Sequence, residues 1–347
     1  MCARGAGLSL NAQPSSRLGQ LLSGALERRR WLLRDLVAEH TDCFRLLHGA
    51  VEGVPGLTLD RYGSVLLAQT WKRSLDESDV GVIVDLAGEA LDEDLLFVWN
   101  HRDGGAGSFA RFFDFTEESG FVGRELGLMY DVRPRHRGAD PLLFLDLRAG
   151  RRKVMEAALG KTVLNLFAYT CGLGLAAMQG GARQVLNLDF SASALEIGRA
   201  NAARNGFDLQ CFATLQADCL PALRQLAGLP VKGRASRRRS YVRLQQRRFD
   251  LVLLDPPAWS KSPFGAVDVV RDYMSLFKPA LLATAEGGQM MVTNNSPRVL
   301  WDDWVAGLER GVRKLGRQLR SLDRIRPEAD FPSPDGQSPL KVAWLEV

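Results

Sequence analysis

From about Asp146 to the end of the chain, short apolar segments of strand length alternate with segments of helical spacing. Strands are expected at 162–166, 184–188, 211–216, 251–254 and 289–292, and helices at 173–179, 192–204, 220–227, 267–283 and 300–315. Such alternation is typical of a parallel sheet covered by helices on both faces. Two further strands, at 321–326 and 340–347, are expected to close the sheet as an antiparallel pair. We therefore predict an α/β fold with a Rossmann-like, mostly parallel seven-stranded sheet.

The first part of the chain has a different pattern. Residues 17–39 have helical spacing, whereas short apolar stretches broken by turn signals between Cys43 and about Pro141 indicate a small β-rich (α+β) domain. We predict an N-terminal helical segment at 1–41, the small domain at 42–145 and the α/β domain at 146–347, which suits a length of 347 residues. The small domain either contacts the substrate or only sets the size of the substrate cleft, and the sequence leaves both possibilities open.

Composition narrows the class of protein. The hydrophobic content of 46% and charged content of 24% are ordinary for a globular enzyme. The sequence has neither a run of about 18 uncharged apolar residues nor a signal-peptide pattern, so we expect a cytoplasmic protein that does not bind membranes. The five cysteines and four histidines lack metal-ligand spacing, so we expect no metal site.

Positive charge is concentrated in one segment. Residues 232–248 contain eight lysines and arginines and no acid, although the net charge of the whole chain is only +5. Because cationic side chains neutralise phosphates, we expect Arg237, Arg238 and Arg239 to contact RNA. The alternative is a solvated insertion between a helix and a strand.

Three successive strand ends carry groups suited to a nucleoside. Gly172 and Gly174 follow the first strand at the G-x-G-x-x-A spacing, where glycine allows close approach of the backbone to a ligand. Asp189 ends the second strand, where an acid binds ribose hydroxyls, and Asp218 follows the third, where a carboxylate can accept from an adenine amino group. These positions predict a ligand that contains adenosine, which both NAD and S-adenosylmethionine do.

The strand at 251–254 ends on Asp255 and is followed by Pro256, Pro257 and, two residues later, Trp259. A carboxylate, rigid prolines and an aromatic ring at the carboxyl edge of a parallel sheet suit a flat substrate held still. An enzyme that transfers hydride would need a proton donor such as histidine near the nicotinamide, but no histidine follows His136. This pattern favours methyl transfer, with Trp259 either stacking on the target base or capping the sheet.

Five segments together resemble the class I S-adenosylmethionine-dependent methyltransferases of the bacterial large-subunit rRNA family. They are Phe144-Leu145-Asp146-Leu147-Arg148, Leu164-Asn165-Leu166-Phe167-Ala168-Tyr169-Thr170, Gln216-Ala217-Asp218-Cys219, Phe249 through Pro257, and Thr293-Asn294-Asn295. The nearest look-alike is the half of a fused enzyme that methylates guanine N7. Residues 48–63 resemble the middle domain of the sister cytosine-C5 enzymes, whose N-terminal RNA-binding PUA module we expect to be missing here.

The resemblance implies S-adenosylmethionine as cofactor and RNA, specifically large-subunit rRNA, as partner. The residues expected to bind the cofactor are Asp146, Arg148, Asn165, Phe167, Tyr169, Thr170, Gly172, Gly174, Asp189, Phe190, Asp218 and Cys219. The expected catalytic residues are Asp255, Pro256 and Pro257, and the expected substrate-binding residues are Trp259, Asn294, Asn295, Arg237, Arg238 and Arg239. Asp146, Arg148 and Arg152 are alternatively an ordinary ion-pairing face of a helix.

The residues after the motif bear on which atom is methylated. Methylation of a pyrimidine carbon needs a cysteine nucleophile, and the cytosine relatives carry it where this chain has Thr293-Asn294-Asn295 or Ala258. We therefore predict direct transfer to a guanine nitrogen, either N7 or the exocyclic amino group. Cys171 beside the cofactor turn is better explained by packing than by nucleophilic chemistry. A cytosine-C5-type relative with an altered target, an NAD-dependent oxidoreductase and a non-catalytic RNA-binding protein remain the alternatives.

Overall fold

The computed structural model describes residues 16–102, 109–110, 121–134, 140–231 and 241–347. A small five-stranded sheet follows helix α1 (Arg17–Ala38), which begins after Ser16 accepts a hydrogen bond from the Gly19 N–H. Its strands, in spatial order, are β1 (Cys43–His48), β2 (Leu57–Tyr62), β3 (Val65–Thr70), β4 (Leu96–His101) and β5 (Phe109–Ala110), with helix α2 (Glu77–Leu91) between β3 and β4. A hairpin of β6 (Phe121–Glu125) and β7 (Leu128–Val132) completes this part.

The larger domain begins with a 3-10 turn (Leu145–Leu147) that continues into helix α3 (Arg148–Ala157). Its strands are β8 (Thr162–Leu166), β9 (Gln184–Asp189), β10 (Phe212–Gln216), β11 (Phe249–Leu254), β14 (Thr284–Asn294), β15 (Ser321–Ile325) and β16 (Lys341–Glu346). The helices are α4 (Gly172–Gln179), α5 (Ala192–Arg204), α6 (Cys219–Leu226), α7 (Met274–Leu282) and α8 (Trp301–Lys314).

These seven strands form one sheet in the order β10-β9-β8-β11-β14-β16-β15. Strands β10, β9, β8, β11 and β14 run parallel, whereas β16 is antiparallel to both of its neighbours. The predicted α/β fold with a mostly parallel seven-stranded sheet is therefore confirmed. The strand order reverses direction between β8 and β11, and the carboxyl edge at such a reversal is where open α/β sheets bind ligands.

One predicted element is wrong. The helix expected at 267–283 is shorter, because residues 259–268 form a β-hairpin of β12 (Trp259–Ser262) and β13 (Gly265–Asp268) before α7 begins at Met274. Val267 and Val269 are both buried, and their spacing of two residues is that of a strand.

A largely buried set of hydrogen bonds and ion pairs joins the two domains, and we call it the interdomain network. Its residues are Arg29, Arg45, Arg148, Arg152, Glu328 and Asp330. Asp330 lies between β15 and β16 and is fully buried. Its carboxylate accepts hydrogen bonds from the Arg148 side chain (2.7 Å) and the Arg45 backbone (3.1 Å), and its carbonyl accepts from Arg29 (3.2 Å). Helix α1, strand β1 and helix α3 therefore meet at one residue. Nowhere in the described ranges is a helix long and apolar enough to cross a membrane.

Candidate active site

A cavity of about 450 Å³ lies at the carboxyl ends of β8, β9 and β11. Twelve of the predicted site residues line it, namely Asp146, Asn165, Phe167, Tyr169, Thr170, Gly172, Asp189, Phe190, Asp255, Pro256, Pro257 and Asn295. Residues predicted to bind the cofactor and residues predicted to act on the acceptor thus line one cavity. The volume is in the range expected for a small-molecule site.

The loop between β8 and α4 has an unusual backbone. Phe167, Tyr169 and Cys171 all have positive φ values (58°, 48° and 63°), a conformation that residues with a side chain adopt at a cost. Hydrogen bonds hold the loop in this shape, since the Ala168 N–H donates to the Leu188 carbonyl (3.0 Å) and the Thr170 hydroxyl donates to the Leu142 carbonyl (2.7 Å). The loop therefore forms a fixed wall of the cavity.

Asp189 is oriented by the backbone. One oxygen of its carboxylate accepts from the Tyr169 N–H (2.9 Å) and the other accepts from the Ser191 N–H (2.8 Å). Each carboxylate oxygen has a second lone pair, so Asp189 can still accept hydrogen bonds from a ligand. Asp189 is the last residue of β9 and lines the cavity, and its role as a ribose acceptor stays a prediction.

Asn165 presents a buried hydrogen-bond acceptor without a protein partner. Its Nδ2 donates to Asn187 Oδ1 (2.9 Å), and Asn187 Nδ2 donates to the Ala213 carbonyl (3.2 Å). Within the described residues, Asn165 Oδ1 has no hydrogen-bond partner although it is buried. An unpaired buried acceptor is costly, so a ligand N–H at this point of the cavity would be stabilising.

Asp255 lies opposite, at the end of β11. Burial raises the pKa of its carboxyl to about 6, and the nearby charge of Asp146 adds to this, although a hydrogen bond from the Thr293 hydroxyl and the charge of Arg151 act against it. Burial also raises the pKa of Asp146. Two carboxyl groups that are difficult to ionise in the same cavity favour a ligand with positive charge.

A sequence model described as S-adenosylmethionine-dependent methyltransferase matches residues 121–345. This chain belongs to that family. The methyltransferase therefore uses S-adenosylmethionine, and the choice between this cofactor and NAD, which the adenosine pattern left open, is decided against NAD.

Related proteins align with most of the length of the methyltransferase. A ribosomal RNA large subunit methyltransferase of Deinococcus radiodurans is 29% identical over 341 residues, which is 94% of this chain and 78% of that protein. A ribosomal RNA large subunit methyltransferase I of Erwinia tasmaniensis is 25% identical over 324 residues, which is 90% of this chain and 74% of that protein.

Solved structures share the fold. The crystal structure of SMU.776 with SAH has a TM-score of 0.77 at 22% identity, and the match covers 95% of this chain and 81% of that one. The S-adenosylmethionine-dependent methyltransferase of Agrobacterium tumefaciens has a TM-score of 0.61 at 18% identity, covering 84% and 88% of the two chains. At these identities the likeness shows the fold alone.

Several predicted site residues of the methyltransferase do not line the cavity. Arg148 is buried in the interdomain network, where it donates to Glu328 and Asp330 (both 2.7 Å), so its predicted contact with the cofactor is corrected to a joint between domains. Asp218 accepts from the Leu220 N–H (2.9 Å) at the start of α6, and the Cys219 thiol is buried against the Leu188 carbonyl. Both follow β10, which is separated from β8 by β9.

On the acceptor side, Asn294 is buried and does not line the cavity, and its Nδ2 donates to the Val269 carbonyl (3.0 Å). Trp259 is 64% exposed on β12, outside the cavity lining. It therefore does not stack on a base inside this cavity. Arg237, Arg238 and Arg239 lie outside the described residues.

Sequence reasoning missed Arg151, which lines the cavity from α3. Its guanidinium donates to both oxygens of Glu125 on β6, and its Nη2 also donates to the Phe144 carbonyl (2.7 Å). Arg151 is thus a buried cation that ties the β6–β7 hairpin to the cavity. The signal in the sequence was its spacing of four residues from Leu147, which lines the same cavity.

Gly174 is also corrected, from a cofactor contact to a packing position. A Cβ atom at this position would lie 2.0 Å from Asn187 Oδ1, the atom that Asn165 contacts. We expect Gly174→Ala to lower the free energy of unfolding by about 1–3 kcal/mol and to weaken binding of S-adenosylhomocysteine, because it displaces the Asn187–Asn165 pair. Urea unfolding and calorimetry measure the two effects.

The matched control is Gly81→Ala in α2, where nothing lies within 4 Å of the added atom. This substitution should leave affinity unchanged and stability equal or slightly higher. Equal effects of the two substitutions would contradict the packing role of Gly174.

Proposed function

We propose that this methyltransferase acts in the cytoplasm on large-subunit rRNA and transfers the methyl group directly to a guanine nitrogen. The observation that carries the proposal is the joint cavity, in which Asp255, Pro256 and Pro257 face the cofactor wall while the described lining includes no cysteine. The names of the relatives support rRNA as the substrate class.

The cavity residues fit S-adenosylmethionine. Asp189 and Phe190 would hold the adenosine, and the unpartnered Asn165 Oδ1 offers an acceptor for a donor N–H. The cofactor supplies a methyl group on a positively charged sulfur. The carboxylates of Asp146 and Asp255 provide negative charge for this cation, which would offset the cost of their burial.

Methyl transfer to a guanine nitrogen requires orientation of the nitrogen toward the methyl group more than chemical activation of the base. A guanine ring nitrogen has a lone pair, so it can form the new N–C bond as the methyl carbon leaves the sulfur, without any covalent enzyme intermediate. For an exocyclic amino nitrogen, one proton must also be lost. The carboxylate of Asp255 has a pKa of about 6, which suits it to accept that proton near neutral pH.

A cysteine-dependent reaction at a pyrimidine carbon fits the described residues less well. Cys43, Cys171 and Cys219 are buried, and burial raises the pKa of each thiol. Cys171, the one nearest the cofactor loop in sequence, packs against Gly198 of α5. A thiol that resists ionisation inside the protein is a poor nucleophile.

The experiment is a comparison of rRNA nucleosides by mass spectrometry between cells with and without the gene. We expect one methylated guanosine of the large-subunit RNA to fall from near-complete occupancy to background, and purified protein with S-adenosylmethionine to restore it in RNA from the deletion strain. Loss of 5-methylcytidine instead would overturn the target, and no loss of any nucleoside would overturn the substrate class.

A further inference from the structure

The β12–β13 hairpin begins two residues after Pro257, and Ala258 between them lines the cavity. It is fixed at its base, because the Val269 N–H donates to the Ala258 carbonyl (3.2 Å) and Asn294 Nδ2 donates to the Val269 carbonyl (3.0 Å). The hairpin is therefore a rigid extension of the acceptor side of the active site.

The two faces of this hairpin differ. Val267 is buried on the inner face. On the outer face, Trp259 pairs with Asp268 and Lys261 pairs with Ala266, because alternate residues of a strand share a face. Trp259 is 64% exposed and Lys261 is also exposed. An indole and an ammonium group are thus neighbours on the exposed face of a strand that directly follows the cavity-lining residue Ala258.

A further cation lies near the base of the hairpin. Arg271, just after β13, has a side chain that is 88% exposed and lies 3.9 Å from Asp268. The Asp268 carboxylate accepts from the backbone N–H groups of Val270 and Arg271, and Asp272 is a second exposed acid nearby. The base of the hairpin therefore carries both acids and a cation. Lys261 is the cation that shares the exposed face with Trp259.

The tip of the hairpin contacts the end of the basic segment. Phe264 packs edge-on against Tyr241, with ring centroids 5.7 Å apart. The Arg243 guanidinium lies 4.4 Å from the centre of the Tyr241 ring and donates to its hydroxyl (2.7 Å). Arg243 is therefore joined through Tyr241 to the tip of the hairpin.

We propose that the outer face of the β12–β13 hairpin binds the RNA strand next to the target base, with Trp259 stacking on a flanking base and Lys261 contacting a phosphate. An exposed aromatic ring beside a cation is the arrangement that binds single-stranded nucleic acid. The inference rests on the proposed function and adds a surface outside the cavity. It also replaces the expectation that Trp259 stacks on the target base.

The test uses the full-length protein and two readouts with large-subunit rRNA from the deletion strain. Filter retention of radiolabelled rRNA measures binding, and incorporation of labelled methyl measures turnover. We expect Trp259→Ala to weaken retention and to raise KM for rRNA on the order of tenfold, because stacking on one base is lost. Lys261→Ala should reduce the salt dependence of retention by about one phosphate contact.

Matched controls exist in this chain. Leu159, which is 79% exposed in the turn between α3 and β8, and Lys314, in the last turn of α8, are exposed residues remote from the hairpin in sequence. Leu159→Ala and Lys314→Ala should leave retention and KM unchanged. Affinity for S-adenosylhomocysteine should be the same in all four variants, which shows that the cavity is intact.

The outcomes separate the two proposals. If the wild type methylates rRNA and Trp259→Ala behaves like it, or like Leu159→Ala, the hairpin proposal is overturned and the proposed function stands. If the wild type retains rRNA in a Trp259-dependent manner but methylates nothing, the proposed function fails and the RNA-binding surface stands. If the wild type does not retain rRNA, both are overturned.

Discussion

Asp255→Asn is expected to lower kcat for methyl transfer by about a hundredfold or more, because the carboxylate that orients the acceptor, and that would accept the proton of an exocyclic amino group, is lost. Affinity for S-adenosylhomocysteine should stay close to that of the wild type, because this product has lost the positive charge at sulfur. Asp255→Ala should lose turnover in the same way. Methyl incorporation into rRNA and calorimetry with S-adenosylhomocysteine measure the two quantities.

Asp255→Asn should also raise the free energy of unfolding above about pH 6. The pKa of Asp255 is about 6 in the folded protein against 3.8 for an ordinary aspartate, so the folded state holds a proton that the unfolded state has lost. Ionising Asp255 above this pKa therefore costs folding free energy, and asparagine avoids the cost. We expect a gain of about 1–2 kcal/mol at pH 8, below the value that the full shift would give, since the cavity admits water.

The gain should widen between about pH 4 and pH 6 and stay constant above, as measured by urea unfolding at several pH values. Asp250→Asn is the control of opposite sign. Burial would raise the pKa of Asp250, but hydrogen bonds from the Thr162 N–H and hydroxyl lower it overall. Asparagine at position 250 should destabilise the protein.

A fully active Asp255→Asn enzyme would refute the catalytic role assigned to the Asp255 carboxylate.

Asp330→Ala is expected to lower the free energy of unfolding by about 3–5 kcal/mol, because it leaves the buried guanidinium of Arg148 without one of its carboxylate partners. Arg148 is only 1% exposed and Asp330 is fully buried. Urea unfolding, followed by both fluorescence and circular dichroism, measures the loss and shows whether the two domains still unfold together.

Two comparisons sharpen this prediction. Arg152→Ala removes a half-exposed partner of Glu39 and Glu328 and should cost less than about 1 kcal/mol. The double substitution of Arg148→Met with Asp330→Leu should recover much of the stability lost by Asp330→Ala. Both charged groups of the buried pair are then replaced by apolar side chains, so no guanidinium is left without its Asp330 partner. If Asp330→Ala is as mild as Arg152→Ala, the interdomain network does not stabilise the joint.

The regular elements of the larger domain could be predicted because each one repeats a simple period. Strand 162–166 and helix 192–204 agree with the structure at both ends, since an apolar strand and an amphipathic helix are local properties. Residues 267–283 could not be assigned in the same way. The hairpin there depends on pairing of Trp259 with Asp268, which is a tertiary contact.

The candidate site could be predicted as far as strand ends determine it. The carboxyl ends of β8, β9 and β11 meet at the reversal of strand order, so Asp189 and Asp255 reach one cavity, whereas Asp218 after the edge strand β10 does not. The role of Arg148 could not be predicted, because its partner Asp330 lies 182 residues away and an arginine on a helix looks the same whether it is solvated or buried.

The position of Asp330 in the chain has a consequence for biosynthesis. Arg29 is made early, yet the carbonyl that it contacts belongs to a residue 301 positions later. A ribosome must therefore release nearly the whole polypeptide before the contacts of Asp330 can form. Arg29 can pair with Glu52 before then, but the Arg148 guanidinium gains its Asp330 partner only at this point, so the interdomain network is completed at the end of translation.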